Sequence, residues 1–329
     1  MNRESFLNVL YRYGAILVIV GVFIYFSLTE ESFLTYDNIT GVLTSISIVT
    51  FVAIGVTFSQ IVDGFDLSVG STVSLTTVVA ATLMVWYEMP LIVVLLVPLL
   101  IGAVVGIINT FLIVNVRIPD LLATLAVMYI VGGIQKTYTK GSSIYDKMLM
   151  PDGSNAPGSF TESFLWIGQG EWFGVPVPAA LMLVTVAAAH IFLKYTRWGR
   201  QMYITGGNRE AARLSGIAVD KVRLGAYVLS GVFAAVAGIL FAARVGSGQI
   251  DAGAPLLMES VAAVFVGYSV FGAGKPNVIG TFLGAVLIGI LLNGLTMQNL
   301  PYYSHDIVKG GVLVLALAIT FIHLHRKRV

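Results

Sequence analysis

Asp63-Gly-Phe-Asp66-Leu-Ser68-Val-Gly-Ser71 places two carboxylates three positions apart at the edge of a hydrophobic run. Paired carboxylates can serve general acid–base chemistry, which also needs a positioned partner for the proton. No histidine, lysine or metal-ligating set accompanies this pair, so it does not read as a catalytic site. His190, His305, His323 and His325 show no metalloprotease spacing. The absence of cysteine excludes disulfides, thiolate nucleophiles and cysteine-ligated metals. Phe271-Gly-Ala-Gly-Lys275-Pro276 resembles a phosphate-binding loop, but Ser269 stands where that loop needs its first glycine and Pro276 where it needs Ser or Thr. The chain cannot hold ATP in that way, so energy for uphill work must come from a partner.

What these residues can do instead is handle a polar solute without breaking a bond in it. A charged side chain at the centre of a bilayer costs about 2.5–3.5 kcal/mol on insertion scales, which makes polar residues at membrane depth functional candidates. Gly64 and Gly70 let the backbone break around Asp66 and Ser68. The stretch is then either an unwound segment lining a cavity or a surface connection in which Asp66 or Ser68 caps the next helix. Asp63 is read as a surface residue. Gln60, Asn109, Thr124 and Asn293 fall inside apolar runs; they either line a translocation pathway with Asp66 and Ser68 or hydrogen-bond helices to one another. Lys309 is expected to snorkel to the outer interface. Gly102-x3-Gly106 and Gly280-x3-Gly284 are read as close helix crossings.

The elements that must position these residues are membrane helices. The chain has 329 residues, 57% hydrophobic and 11% charged, against about 25% charged in soluble domains. Apolar runs near the ~20 residues a span requires fall at about 13–28, 41–62, 67–87, 91–116, 119–138, 176–195, 224–243, 259–273, 276–297 and 307–324. The first follows Arg3 and Arg12 and has no small-x-small cleavage site, so it is read as a retained span. The expected fold is all-α: one transmembrane domain, 1–329, of about ten transmembrane helices. With both termini in the cytoplasm, fourteen of the nineteen Lys and Arg lie inside, seven of them between Lys194 and Arg223. The outer side then carries one long loop, about 139–175, with a Phe164-Leu-Trp-Ile patch read as an interfacial foot or a partner contact. Leu100-Ile-Gly-Ala-Val-Val-Gly-Ile-Ile-Asn109 and Leu283-Gly-Ala-Val-Leu-Ile-Gly-Ile-Leu-Leu-Asn293 are similar, and each is followed by a proline and an aspartate. Their spans run in opposite senses, as an inverted repeat of spans 2–5 on spans 7–10 requires.

The remaining polar segment is the basic loop of about 196–223. Gly206-Gly207 is expected to turn sharply, Asn208 to cap a short helix, Glu210 to sit at the positive end of its dipole, and Gly216 to stop it. A short helix with small residues offers a soluble protein a face to approach. Gly206-Gly-Asn-x-Glu-Ala-Ala-Arg-Leu-Ser-Gly-Ile217, Asp66-Leu-Ser-Val-Gly-Ser71 and Gly272-x-Gly-Lys275…Gly280-Thr…Gly284-Ala285 resemble the ribose-type monosaccharide permeases of bacterial ABC importers, a group that includes branched-chain amino-acid and autoinducer-2 permeases. The resemblance runs from about residue 38 to the C-terminus. It departs from the group's pattern at Val266-Gly267-Tyr268-Ser269 and Ala273, where further glycines are usual, and at Pro276, where a small residue is usual.

The resemblance implies a permease of the bacterial inner membrane that translocates a small polar solute, a monosaccharide such as ribose. It implies cytoplasmic ATPase partners that bind ATP-Mg, an extracytoplasmic solute-binding protein, a second permease copy and a surround of membrane lipid. It implies no nucleic acid, and no cofactor or catalysis in this chain. It assigns Gly207, Asn208, Glu210, Ala211, Ala212 and Gly216 to coupling with the ATPase. The alternative is a secondary transporter driven by an ion gradient, which would want an intramembrane ionisable relay.

Overall fold

The computed structural model describes residues 3–150, 153–269, 274–301, 304–312 and 314, with side chains from residue 16 onward apart from Ser269. The polypeptide is almost wholly helical: α1 (Arg3–Thr29), α2 (Tyr36–Ile61), α3 (Val69–Val85), α4 (Leu91–Thr110), α5 (Asp120–Thr139), α6 (Glu162–Gln169), α7 (Val177–Tyr195), α8 (Arg197–Gly207), α9 (Arg209–Leu214), α10 (Val219–Val245), α11 (Gly253–Ser269) and α12 (Val278–Met297). A π-helical turn, Phe111–Asn115, extends α4. Residues 304–312 are again helical. Among the described residues six helices are long and apolar enough to cross a membrane: Tyr36–Ile61, Leu91–Asn115, Asp120–Thr139, Val177–Tyr195, Val219–Val245 and Val278–Met297. Ile16–Thr29, Val69–Val85 and Gly253–Tyr268 are shorter apolar helices. These nine match the first nine expected spans; the expected span at 307–324 lies mostly outside the described residues. The eighth begins at Gly253, earlier than its apolar run suggested.

Local chemistry sets the breaks. Pro119 holds extended backbone before Asp120 opens α5, and Lys140 ends that helix in the left-handed region at φ 52°. Thr196 and Asn208 cap α8 and α9 through side-chain oxygens that accept from Gly199 N and Ala211 N.

At the centre α2 and α10 pack on each other, both buried over most of their length. Around them the contacts come in matched pairs. α4 crosses α10 as α12 crosses α2; α3 packs on α4 as α11 packs on α12; α3 meets α10 as α11 meets α2. α3 and α11 touch where Gly70 faces Gly253, so closely that a Cβ on Gly253 would lie 1.9 Å from the Gly70 carbonyl oxygen. Both helices therefore begin inside the bundle, and the connectors 62–68 and 246–252 dip into it to reach them. Irregular backbone at membrane depth is tolerated only where protein or a cavity satisfies it.

The segment at 139–175 is not an open loop. α6 packs on α10, with Gly168 against the backbone of Ala243 and Arg244. Phe164 is fully buried and stacks on Phe160, 5.9 Å between centroids. The Phe-Leu-Trp-Ile patch is thus partly core, with Trp166 half exposed. A two-stranded hairpin, Glu171–Trp172 with Val175–Pro176, follows and carries exposed Trp172 and Phe173 at its tip.

Candidate functional site

The first dipping connector is held by a polar knot. Asp66 is 1% exposed. Its Oδ1 accepts from the Ser68 amide (3.0 Å), the Ser68 hydroxyl (2.6 Å) and Asn109 Nδ2 (3.3 Å), and its Oδ2 accepts from the Ser230 hydroxyl (2.7 Å). Asn109 Nδ2 also donates to Ser68 Oγ at 2.8 Å. The Thr124 hydroxyl donates to the Phe65 carbonyl at 3.0 Å. Four of the six pathway candidates, Asp66, Ser68, Asn109 and Thr124, therefore converge on one segment, drawn from α4, α5 and the connector itself. Ser230 stands eleven residues into α10, about 16 Å along its axis at 1.5 Å per residue, so the knot lies well within the bundle. Beside it Asp120 accepts from Tyr227 OH at 2.6 Å and pairs with Arg223. Gly64 fits against both, since a Cβ there would lie 2.5 Å from Tyr227 OH. Arg223, Tyr227 and Ser230 were not singled out in the sequence. Their signal is the 3–4-residue spacing that puts them on one face of α10.

The other two candidates lie elsewhere. Gln60 Oε1 accepts from Tyr268 OH on α11. Asn293 and Asn38 exchange hydrogen bonds, Asn293 Nδ2 to Asn38 Oδ1 at 2.8 Å and Asn38 Nδ2 to Asn293 Oδ1 at 3.2 Å. That reciprocal pair ties α12 to α2. Asn293→Leu is accordingly expected to lower stability by about 0.5–2 kcal/mol while leaving solute affinity unchanged. A thermal melt beside an uptake titration checks it, and a shifted apparent KM with an unchanged melt would contradict it. Two amide atoms in the set, Gln60 Nε2 and Asn109 Oδ1, are buried with no hydrogen-bond partner.

Lys309 does not snorkel. Its Nζ lies 2.9 Å from Glu259 of α11 and 3.6 Å from Asp306, and both Lys309 and Glu259 are largely buried. The second connector, which the sequence reading passed over, carries Asp251; it accepts from Gln135 Nε2 at 2.9 Å and pairs with Lys136 at 2.8 Å. The cluster Gly246-Ser-Gly-Gln-Ile-Asp-Ala-Gly253 was the available sign of a break. No group of three His, Asp or Glu among the described residues is arranged to hold a metal.

The basic loop folds as two short helices on the same end of the bundle as Asp63. Gly206 and Gly207 do not form the expected turn; both are helical, and the break falls at Asn208, whose backbone is extended at φ −162°. Gly206 is needed for approach instead, because a Cβ there would sit 1.9 Å from the Ile61 carbonyl oxygen at the end of α2. Gly216 has φ 78° and open space around it. Gly207, Asn208, Glu210, Ala211 and Gly216 are exposed, while Ala212 is fully buried and faces the body of the protein. Leu214 at the end of α9 is 90% exposed. Arg209 reaches back from α9 to the Asp63 carbonyl and lies 3.4 Å from the Asp63 carboxylate. Asp63 in turn is three residues from Asp66, so α9 is tied to the segment that the knot holds.

The model of the family described as branched-chain amino acid transport system / permease component matches residues 38–317. The chain is 35% identical over 308 residues to the ribose import permease protein RbsC of Escherichia coli (strain K12), covering 93% of this chain and 91% of that protein. It is 36% identical over 291 residues to RbsC of Haemophilus influenzae, covering 88% and 87%. It is 32% identical over 343 residues to the galactose/methyl galactoside import permease protein MglC of Salmonella typhimurium, covering 100% and 99%. No solved structure gives a significant match.

Proposed function

The chain belongs to the family of branched-chain amino acid transport system permease components, and from its similarity to ribose and galactose import permeases we propose that it carries a monosaccharide of the ribose or galactose class across the bacterial inner membrane. It is the permease subunit of an ATP-binding-cassette importer and not an enzyme; ATP is bound and turned over by a partner ATPase, and a binding protein delivers the solute. The ion-gradient alternative falls with this membership. The observation that carries the choice of a sugar is the match to ribose and galactose import permeases along nearly the whole chain.

The finer reading is as follows. Ten spans leave both termini in the cytoplasm with α8 and α9, a placement supported by the concentration of Lys and Arg at that end. Spans 2–5 and 7–10 form an inverted repeat, supported by the matched packing of α2, α3 and α4 with α10, α11 and α12 and by the meeting of Gly70 and Gly253. A second permease copy completes the pathway. The ATPase receives α9 through Gly207, Asn208, Glu210, Ala211 and Gly216, with Leu214 as the apolar contact and Ala212 holding the helix to the body. When the ATPase subunits close, α9 moves with them. Arg209 passes that movement to Asp63, and the knot at Asp66, Ser68, Asn109 and Thr124 turns it into a shift of α3 against α4 and α10. Gln60 Nε2 and Asn109 Oδ1, buried and unpaired, are the atoms left to meet solute hydroxyls.

Uptake of labelled sugars into proteoliposomes holding the permease, its ATPase and its binding protein tests the reading. ATP-dependent uptake of ribose or galactose, insensitive to proton uncouplers, is expected; uptake of branched-chain amino acids in place of sugars would overturn it. Within the same assay Arg209→Ala is expected to cut transport at least tenfold with the ATPase still bound, because the Arg209–Asp63 link transmits movement and does not dock. Undiminished transport would remove Arg209 from the path.

A further inference from the structure

At the α8–α9 end a cavity of about 440 Å³ opens between α7, α8 and the start of α12, lined by His190, Lys194, Arg200 and Tyr203 with Leu193, Ile204, Asn277 and Val278. We propose that this cavity binds the phosphodiester headgroup of an anionic membrane lipid, with the acyl chains lying along α7. Three observations carry this. First, Lys194 and Arg200 are exposed, and no carboxylate among the described residues is within ion-pair distance of either. Their charges therefore remain available to a ligand. Among the described residues the Arg200 guanidinium donates only to the Tyr195 carbonyl, at 3.3 Å, and Lys194 lies over the Tyr195 ring at 5.3 Å. Second, Asn277 caps α12 by accepting from Gly280 N at 2.7 Å, so the positive end of a 20-residue helix opens on the same cavity. Third, the approach is apolar: Val184, Ala188 and Ile191 follow at helical spacing on an exposed stripe of α7 that ends at Lys194. Tyr195 and Trp198, both about half exposed or more, mark the level at which headgroups begin. Basic pockets between membrane helices with apolar flanks suit acidic headgroups, and a soluble anion would have no use for the stripe.

The test uses the full chain purified in detergent and mixed with phosphatidylglycerol, phosphatidylcholine or inorganic phosphate. Bound lipid is read by native mass spectrometry, and stability by thermal melting. Phosphatidylglycerol should be retained and should raise the melting temperature, with phosphatidylcholine and phosphate giving neither effect. The double variant Lys194→Gln/Arg200→Gln should bind phosphatidylglycerol about thirtyfold more weakly, each cation near an anionic surface contributing roughly a factor of five. Lys194→Arg/Arg200→Lys keeps both charges and should bind as the native chain does, which separates lost charge from lost folding. Equal retention of phosphatidylcholine, stabilisation by phosphate alone, or undiminished binding by the double glutamine variant would each overturn the proposal.

Discussion

Gly102→Leu is expected to prevent accumulation of folded protein. α4 and α10 cross with their backbones in contact: a Cβ on Gly102 would lie 2.2 Å from the Gly231 carbonyl oxygen, and one on Gly231 would lie 2.0 Å from the Gly102 oxygen. Gly106 meets the Tyr227 backbone in the same way, at 2.3 Å. The obstacle is main chain on a central helix, so no rotamer change relieves it, and the helices must separate. Overpacking typically costs about 1–3 kcal/mol; separation along this crossing also pulls Asn109 of α4 away from Asp66 and Ser68, while Asp66 stays bonded to Ser230 of α10, so a loss above about 3 kcal/mol is expected. Gly132→Leu on α5, where nothing lies within 4 Å, is the control and should be close to neutral. Gel filtration and thermal melting in detergent read the result. A monodisperse Gly102→Leu protein with the native melting temperature would contradict the packing described for α4 and α10.

Leu214→Asp is expected to abolish uptake while leaving the chain folded and inserted. Leu214 is exposed at the end of α9 and contributes almost nothing to the interior, so the fold gives no reason for a leucine there. As a hot spot of the proposed interface, Leu214 would contribute about 2 kcal/mol, which is about thirtyfold in ATPase affinity. Gly216→Trp addresses the same surface differently. Its Cβ meets nothing within 4 Å, so the indole would project outward, and the positive φ adds strain of roughly 1 kcal/mol. Both variants should keep the native span content by circular dichroism and lose the partner. Ala212, fully buried, should behave otherwise: Ala212→Leu is expected to disturb the seating of α9 on the body and to lower stability.

Much of this was legible before the structure. Nine apolar runs gave nine helices, because continuous hydrophobic stretches near membrane length leave the backbone one solution. The Asn208 cap and the Gly216 stop were readable because capping depends on local chemistry. What failed depended on tertiary contact. Gly206-Gly207 looked like a turn, but Gly206 is set by the nearness of Ile61, which no local pattern encodes. Lys309 looked like a snorkelling cation until Glu259, fifty residues earlier, proved to be its partner. The polar residues within spans were visible one by one. That Asp66, Ser68, Asn109 and Thr124 meet while Asn293 pairs with Asn38 follows from how the helices cross.

Capture of the partner ATPase by the detergent-solubilised permease tests most directly the claim that α9 couples this chain to ATP hydrolysis. The native chain should retain the ATPase, Arg209→Ala should retain it as well, and Leu214→Asp and Gly216→Trp should lose it with their spans intact. Retention of the ATPase by folded Leu214→Asp and Gly216→Trp proteins would contradict the account and require the docking surface to be sought elsewhere.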